Sequence, residues 1–260
     1  MQLFYFLIAL IDVAIASVSD SCYDCASPEL KSKWHLTMLP LFPDQKFEQC
    51  QNPRNTTVCN SPCVSYLIED PTAVEPTKNV LYVRGCLKKF TQNTIQSNQQ
   101  DYCEMDNTLK QVDSLGNSVD AKYKIIVCLN TDPKSCNSDA DIAQPPLNCQ
   151  GPGDATPNNA VPKCYECDSK NGDCKSGSCS KKYCVKKTTR VGSYYSTQKY
   201  CSDVNPYGIS EVCSSTDLKQ YPFGVHSDVC FCKDKQFCNS SPSTIVISAF
   251  ALIVAAALIV

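Results

Sequence analysis

The chain has 260 residues, enough for one or two domains, and twenty of them are cysteine. Lys+Arg number 24 against 26 Asp+Glu, for a net charge of −2, so there is no basic excess to neutralise phosphate and nucleic acid is not an expected partner. Cysteine at this density needs an oxidising compartment, which argues against the cytosol.

In chain order, the first element is the apolar segment Leu3–Ala16, interrupted only by Asp12. Ala14-Ile15-Ala16 offers a small-x-small cleavage site, so residues 1–16 read as a signal peptide and Ser17 as the first mature residue. The segment falls short of the ~20 residues that a membrane span needs. Next comes the best helical candidate, Pro28–Leu39, with Ser27 as a possible cap, Pro28 in the first turn and Leu30, Trp34 and Met38 on one face. Val64–Ile68 and Val80–Arg84 read as strands, and Tyr123–Val127 as another. Residues 150–163 contain three Pro, two Gly and no aromatic, which is linker composition. Beyond it, Lys182–Arg190 and Tyr194–Cys201 are rich in Val, Thr and Tyr and flank the turn Val191-Gly192-Ser193. Cys213 and Cys230 bracket a hairpin-sized loop with Pro222-Phe223-Gly224.

The last element is the uncharged run Ile245–Val260, preceded by Asn239, Ser240 and Ser241. A small acceptor triplet followed by an apolar tail is the pattern of a GPI-attachment signal. Asn239 is the expected attachment residue, residues 240–260 the removed tail, and the outer leaflet of the plasma membrane the expected location. A spanning helix is the rival reading of the same run.

The cysteines divide ten and ten about the linker. Both halves open alike, with Cys22-Tyr23-Asp24-Cys25 and Cys164-Tyr165-Glu166-Cys167, and close alike, with Cys136-Asn137 and Cys238-Asn239. Two copies of one module, 17–149 and 164–239, is the economical reading. Each is small enough that crosslinks have to supplement its core.

The second half, with Cys164, Cys167, Cys174, Cys179, Cys184, Cys201, Cys213, Cys230, Cys232 and Cys238 followed by Asn239, resembles the Ly-6/uPAR family of three-finger domains. Phe231 departs from the commonest family pattern, in which the eighth and ninth cysteines are adjacent. The resemblance implies an all-β fold of two tandem disulfide-rich three-finger domains. It implies the pairs Cys164–Cys184, Cys167–Cys174, Cys179–Cys201, Cys213–Cys230 and Cys232–Cys238, with Asn239 bonding backbone groups between the finger bases. For the first half it implies Cys22–Cys63, Cys25–Cys50, Cys59–Cys86 and Cys103–Cys128. The first half lacks a ninth cysteine, Asn130 standing in its place, which leaves Cys136 and Cys149 over: either they form a fifth pair, or Cys149 bonds a second molecule and Cys136 finds another partner. Its first finger is also long, with 24 residues between Cys25 and Cys50 against six between Cys167 and Cys174. Loops of this kind tolerate insertion because closure entropy grows slowly with length.

Chemistry is sparse. Cys22-x2-Cys25 and Cys164-x2-Cys167 have zinc-ligand spacing, but in an oxidising compartment the disulfide reading wins, and no metal or other cofactor is expected. His35 and His226 are the only imidazoles, lie in different halves and read as surface residues. Carboxylate pairs such as Glu69-Asp70 read as solvated turns. No constellation points to an enzyme. Two features could bind a partner. Residues 163–239 carry 12 basic and 8 acidic groups, whereas 17–149 carry 12 and 16. One hairpin concentrates Lys181, Lys182, Lys186, Lys187, Arg190 and Lys199 among Tyr183, Tyr194, Tyr195 and Tyr200. This is either a solvated face or an electrostatically complementary docking site with Lys186, Lys187, Arg190, Tyr194 and Tyr195 at its centre. Trp34 and Phe42, with Met38, Leu39 and Leu41, either fold onto their own module or stand out as a partner anchor. Asn55-Thr56-Thr57 is a glycosylation sequon and belongs on the surface.

The expected function is non-catalytic recognition of an extracellular or membrane protein by a GPI-anchored surface protein, acting in receptor or channel modulation or in adhesion. A secreted inhibitor of an extracellular enzyme and a structural component of surface coats or junctions are the alternatives.

Overall fold

The structure is a computed structural model that describes residues 20–73, 80–91, 102–112, 118–128, 142, 161–208, 211–218 and 224–240. The expected signal segment, most of the linker, the apolar tail and the Cys136–Cys149 link lie outside the described residues.

The chain is built from β-strands in two halves with one strand order. In the first half β1 (Asp20–Tyr23) pairs with β3 (Thr56–Cys59). A five-stranded sheet then runs β2 (Cys25–Ala26), β5 (Val80–Cys86), β4 (Cys63–Glu69), β7 (Ser118–Cys128), β6 (Tyr102–Val112). In the second half β8 (Lys163–Cys164) pairs with β10 (Cys179–Ser180). Its five-stranded sheet runs β9 (Cys167–Lys170), β12 (Tyr194–Ser202), β11 (Tyr183–Val191), β14 (Val225–Cys232), β13 (Val212–Leu218). Strand for strand, the two orders are the same, and neighbours are antiparallel throughout.

The crosslinks repeat as well. Cys22–Cys63, Cys25–Cys50 and Cys59–Cys86 in the first half match Cys164–Cys184, Cys167–Cys174 and Cys179–Cys201 in the second. Cys213–Cys230 and Cys232–Cys238 complete the second half. Cys103 and Cys128 are disulfide-bonded too, but a bond between them is not among the described pairs, and across the ladder Cys103 faces Ile126.

The β11–β12 hairpin follows its sequence closely. Its ladder runs from Tyr183↔Ser202 to Val191↔Tyr194, which leaves a two-residue turn at Gly192-Ser193. Gly192 takes φ +58°, the left-handed conformation that such a hairpin turn needs. Strand β6 was not foreseen. Its buried positions are Glu104, Asp106 and Gln111 beside Leu109, so it lacks the apolar alternation that marks a strand, and a register shift between Asp106 and Leu109 breaks the period further.

The helix expected over Pro28–Leu39 shrinks to one α-turn, α1 (Leu30–Lys33), and a 3-10 turn, Trp34–Leu36. Ser27 does not cap it; its hydroxyl accepts the Tyr82 amide instead. Leu30, Trp34 and Met38 are buried as the spacing implied, but Met38 turns to φ +58° and ends the helical path. The Thr37 hydroxyl fixes this exit by donating to the Trp34 carbonyl (2.7 Å) and accepting the Leu39 amide (3.0 Å).

The two halves share one apolar core. Val64, Tyr66 and Ile68 of β4 and Tyr123, Ile125 and Val127 of β7 belong to the same cluster as Tyr183 and Val185 of β11, Tyr200 of β12 and Phe231 of β14. Leu30, Trp34, Leu36, Met38 and Leu39 lie in this cluster too. The long segment between Cys25 and Cys50 therefore supplies filling common to both halves. Polar contacts reinforce the seam. Glu104 accepts the Asn205 amide (2.7 Å) and the Tyr183 hydroxyl (3.0 Å). Asp106 accepts the Asp203 amide (2.8 Å) and pairs with Lys181 (2.6 Å). The Tyr66 hydroxyl donates to the Pro206 carbonyl at 3.0 Å.

Two further expectations are corrected. Asp70 is buried, accepts from the Thr72 amide and hydroxyl, and pairs with Lys33 at 2.6 Å; Glu69 accepts the Lys122 amide at 2.8 Å. Burial pushes the Asp70 carboxyl up, but the Lys33 and Thr72 bonds outweigh it and hold the group below its usual value. This pair is structural and not a solvated turn. His35 is half-buried rather than fully exposed: burial, then the charge of Lys187, lowers it from 6.5 to about 4 against the opposing charge of Asp70.

Candidate recognition surface

Strand alternation sorts the residues of the basic hairpin. On one face Tyr183, Val185 and Tyr200 enter the core, and Lys187 points the same way and is 3% exposed. Burial alone lowers its ammonium from 10.5 to about 8. On the other face Lys186 and Lys199 run under the short loop between Cys167 and Cys174. Lys199 pairs with Asp173 at 2.8 Å, donates to the Cys174 carbonyl at 2.6 Å and sits over the Tyr165 ring; Lys186 is 3.7 Å from Asp173. Burial pushes the Asp173 carboxyl up, but the Lys199 bond and the two ammonium charges outweigh it and hold the carboxyl below its usual value. Lys181 crosses to Asp106 in the first half. Lys186 and Lys187 are thus removed from any docking site, because loop and core cover them.

What stays on the surface is the tip. Arg190 is exposed, Tyr195 half-buried, and Tyr194, at 71%, is among the most exposed large apolar side chains of the described residues. Val191 joins them at 38%. Arg190 lies opposite Tyr195 in one ladder, its guanidinium 6.0 Å from the ring centroid, and opposite His226 in the other. His226 in turn lies opposite Asp217. The outward row therefore reads Tyr195, Arg190, His226, Asp217 across four strands.

Both ring nitrogens of His226 are engaged, Nδ1 by Asp217 at 2.7 Å and Nε2 by Asp228 at 3.1 Å. The Asp217 bond raises the imidazole above 6.5, burial opposes it and the charges of Asp228 and Asp217 add to it. The Ser215 hydroxyl donates to Asp228 rather than to the imidazole, so this serine and histidine form no nucleophile–base pair. The arrangement is a preset row of charged and aromatic groups.

Asp217, Asp228 and Ser215 were missed from the sequence, and His226 was read only as a surface residue, although a signal for the row existed. With Cys213 opposite Cys230, counting four residues up each strand places Asp217 against His226.

No family model, curated protein or solved structure matches this chain.

The remaining expected residues scatter. Trp34 is fully buried, stands edge-on to Phe47 and donates from Nε1 to the Leu39 carbonyl at 2.9 Å, so it anchors the fold and not a partner. Phe42 is half-buried, edge-on to Phe90 and under Lys89, where it lines an open groove with Val58. Asn55 is exposed, as a glycosylation site requires. Asn239 is 3% exposed. Its side chain accepts the Tyr165 amide (3.1 Å) and donates to the Tyr165 and Val185 carbonyls (3.0 and 3.1 Å), the bridging role expected of it. The close cysteine triplets Cys22, Cys59, Cys86 and Cys184, Cys232, Cys238 consist of disulfide sulfurs, which offer no thiolate to zinc.

Proposed function

We propose that the chain is a two-domain three-finger protein of Ly-6/uPAR type that recognises another extracellular or membrane protein without catalysing a reaction, through the tip of the β11–β12 hairpin. The observation that carries the reading is the exposed group Arg190, Val191, Tyr194 and Tyr195 at the end of a hairpin whose base is crosslinked by Cys179–Cys201 and Cys164–Cys184. Aromatic side chains and arginine are the residue types that most often dominate protein interfaces, and a rigid base spares a partner the entropy of ordering them. The repeated strand order and the matching disulfides support the family reading. The apolar run Ile245–Val260 supports a GPI anchor, and attachment at Asn239 would sit directly beneath the crosslinked base.

The test is binding on intact cells. Proximity labelling identifies neighbours, and the candidate partner is then titrated against wild type and an R190E/Y194A variant. The variant is expected to fold normally and to lose at least ten-fold in affinity. Equal binding by both proteins refutes the tip as the contact surface. Phosphatidylinositol-specific phospholipase C should release the protein from cells; retention with the apolar run intact refutes the anchor.

A further inference from the structure

Asn171-Gly172 is the only Asn-Gly pair in the chain. It follows β9 directly, inside the segment that the Cys167–Cys174 bond closes. Asn171 is exposed and holds φ +60°, the left-handed conformation that asparagine tolerates better than most residues with a β-carbon. Its amide donates to the Tyr195 carbonyl of β12 at 2.6 Å. Among the described residues its side chain has no hydrogen-bond partner, and the Gly172 amide donates to none. Gly172 is also uncrowded: a β-carbon built there would meet the Ser169 hydroxyl at 3.8 Å and nothing else within 4 Å.

An amide that donates no bond exposes its proton to water, and a residue without a side chain leaves room for a ring to close on it. We propose that Asn171 is a deamidation site, and that its conversion to isoaspartate lifts Asp173 off Lys199 and Lys186. The Gly172 nitrogen gives its proton to hydroxide and bonds to Asn171 Cγ. The Cγ–Nδ2 bond breaks, ammonia leaves, and a cyclic imide remains. Water then adds to either ring carbonyl and the bond from that carbon to the Gly172 nitrogen breaks. Opening at Cγ gives aspartate with the original backbone. Opening at the main-chain carbonyl leaves the backbone running through Cγ, which is isoaspartate. In sum, water enters and ammonia leaves, with no oxidant, reductant or cofactor.

Both products gain a carboxylate, but only isoaspartate adds a methylene to the main chain. That methylene falls between two fixed points. One is the Asn171 amide on the Tyr195 carbonyl. The other is Cys174, held by its disulfide and by Lys199, which donates to its carbonyl at 2.6 Å. Asp173 lies between these points, paired with Lys199 at 2.8 Å and 3.7 Å from Lys186. A longer main chain over so short a span has to bulge, and Asp173 moves with it. The site stands on this loop geometry alone, whether or not the hairpin tip meets a partner.

The protein purified from expressing cells is aged in mildly alkaline buffer with its disulfides intact, then reduced, alkylated and cut with trypsin. Lys170 and Lys175 bound the diagnostic peptide. It should accumulate two acid products, aspartate and isoaspartate, ahead of every other asparagine. Gly172→Ala should lose both, because its methyl crowds the ring while making only an ordinary contact with Ser169. An intact Asn171 while other asparagines convert, or equal conversion in Gly172→Ala, overturns the site. The displacement is read separately, by NMR titration of the Asp173 carboxyl in the isoaspartate form isolated by anion exchange and in Asn171→Asp, which adds the charge without the methylene. The carboxyl should rise toward 3.8 in the isoaspartate form and stay below it in Asn171→Asp. A carboxyl that stays low in both, or rises in both, overturns the displacement.

Discussion

The segment after the second cysteine does opposite work in the two halves. In the first half, the residues between Cys25 and Cys50 send Leu30, Trp34, Leu36, Met38 and Leu39 into a core that both halves share. In the second half, the six residues between Cys167 and Cys174 bury nothing large. They bring Asp173 over Lys186 and Lys199 and so neutralise an otherwise basic sheet face. One loop acts by apolar volume, the other by a single charge. An insertion of this kind is affordable only because its carbonyls find donors on both sides, Gln111 and Tyr123 in the first half and Tyr207 and Thr216 in the second, since an unpaired buried carbonyl costs about 1–3 kcal/mol.

The sharpest way to break the comparison is to empty the long loop. Trp34→Ala removes the largest fully buried side chain, its edge contact with Phe47 and its bond to the Leu39 carbonyl. The expected loss is about 3–5 kcal/mol. Denaturant unfolding should show one transition moving to lower midpoint for probes in both halves, because the core is common. Separate transitions, with the second half unmoved, would show that the loop serves the first half alone.

The crosslinks that close the two loops give the next contrast. Cys25–Cys50 spans a sequence separation of 25 and Cys167–Cys174 of 7. In the chain-entropy model, opening them by paired Cys→Ser substitution costs about 3.5 and about 2.4 kcal/mol. Thermal unfolding of the two double variants measures the difference. A larger loss from the short loop would mean that exposing Lys186 and Lys199 outweighs loop entropy.

These contrasts also mark what could be read from sequence. The β11–β12 hairpin was legible because Val, Thr and Tyr surround a Gly turn, which is local information. Strand β6 was not, since Glu104 and Asp106 are buried through amides, a tyrosine hydroxyl and a lysine of the other half. The basic strip misled for the same reason: Lys186, Lys187 and Lys199 look exposed until the loop and the opposing half are in place. Trp34 and Met38 were placed on the right face of a helix that stops early, because the Thr37 hydroxyl and the turn at Met38 redirect the chain. Within the tip, Arg190, Tyr194 and Tyr195 were visible as a basic-aromatic run. Their neighbours on β14 and β13 became visible only through the register that Cys213 and Cys230 impose.

The smallest effect concerns the two histidines, one in each half, which should titrate in opposite directions. His35 is displaced downward to about 4 by burial and facing cations. His226 is displaced upward by Asp217 first, with burial opposing and Asp228 adding. For His226 the linkage sign is the reverse of that for His35. A base with a raised folded value contributes stability that is fully present below 6.5 and fades as pH rises through the folded value. The side chain is 39% exposed, so solvent screens much of the interaction and the stability change should be slight. The cleaner observable is the titration itself. Two imidazole signals followed by NMR from pH 4 to pH 8 should separate, the upper one disappearing in His226→Gln and moving down toward 6.5 in Asp217→Asn. An upper signal that ignores the loss of Asp217 would mean that the outward row is not formed in solution, and the preset geometry at the hairpin tip would go with it.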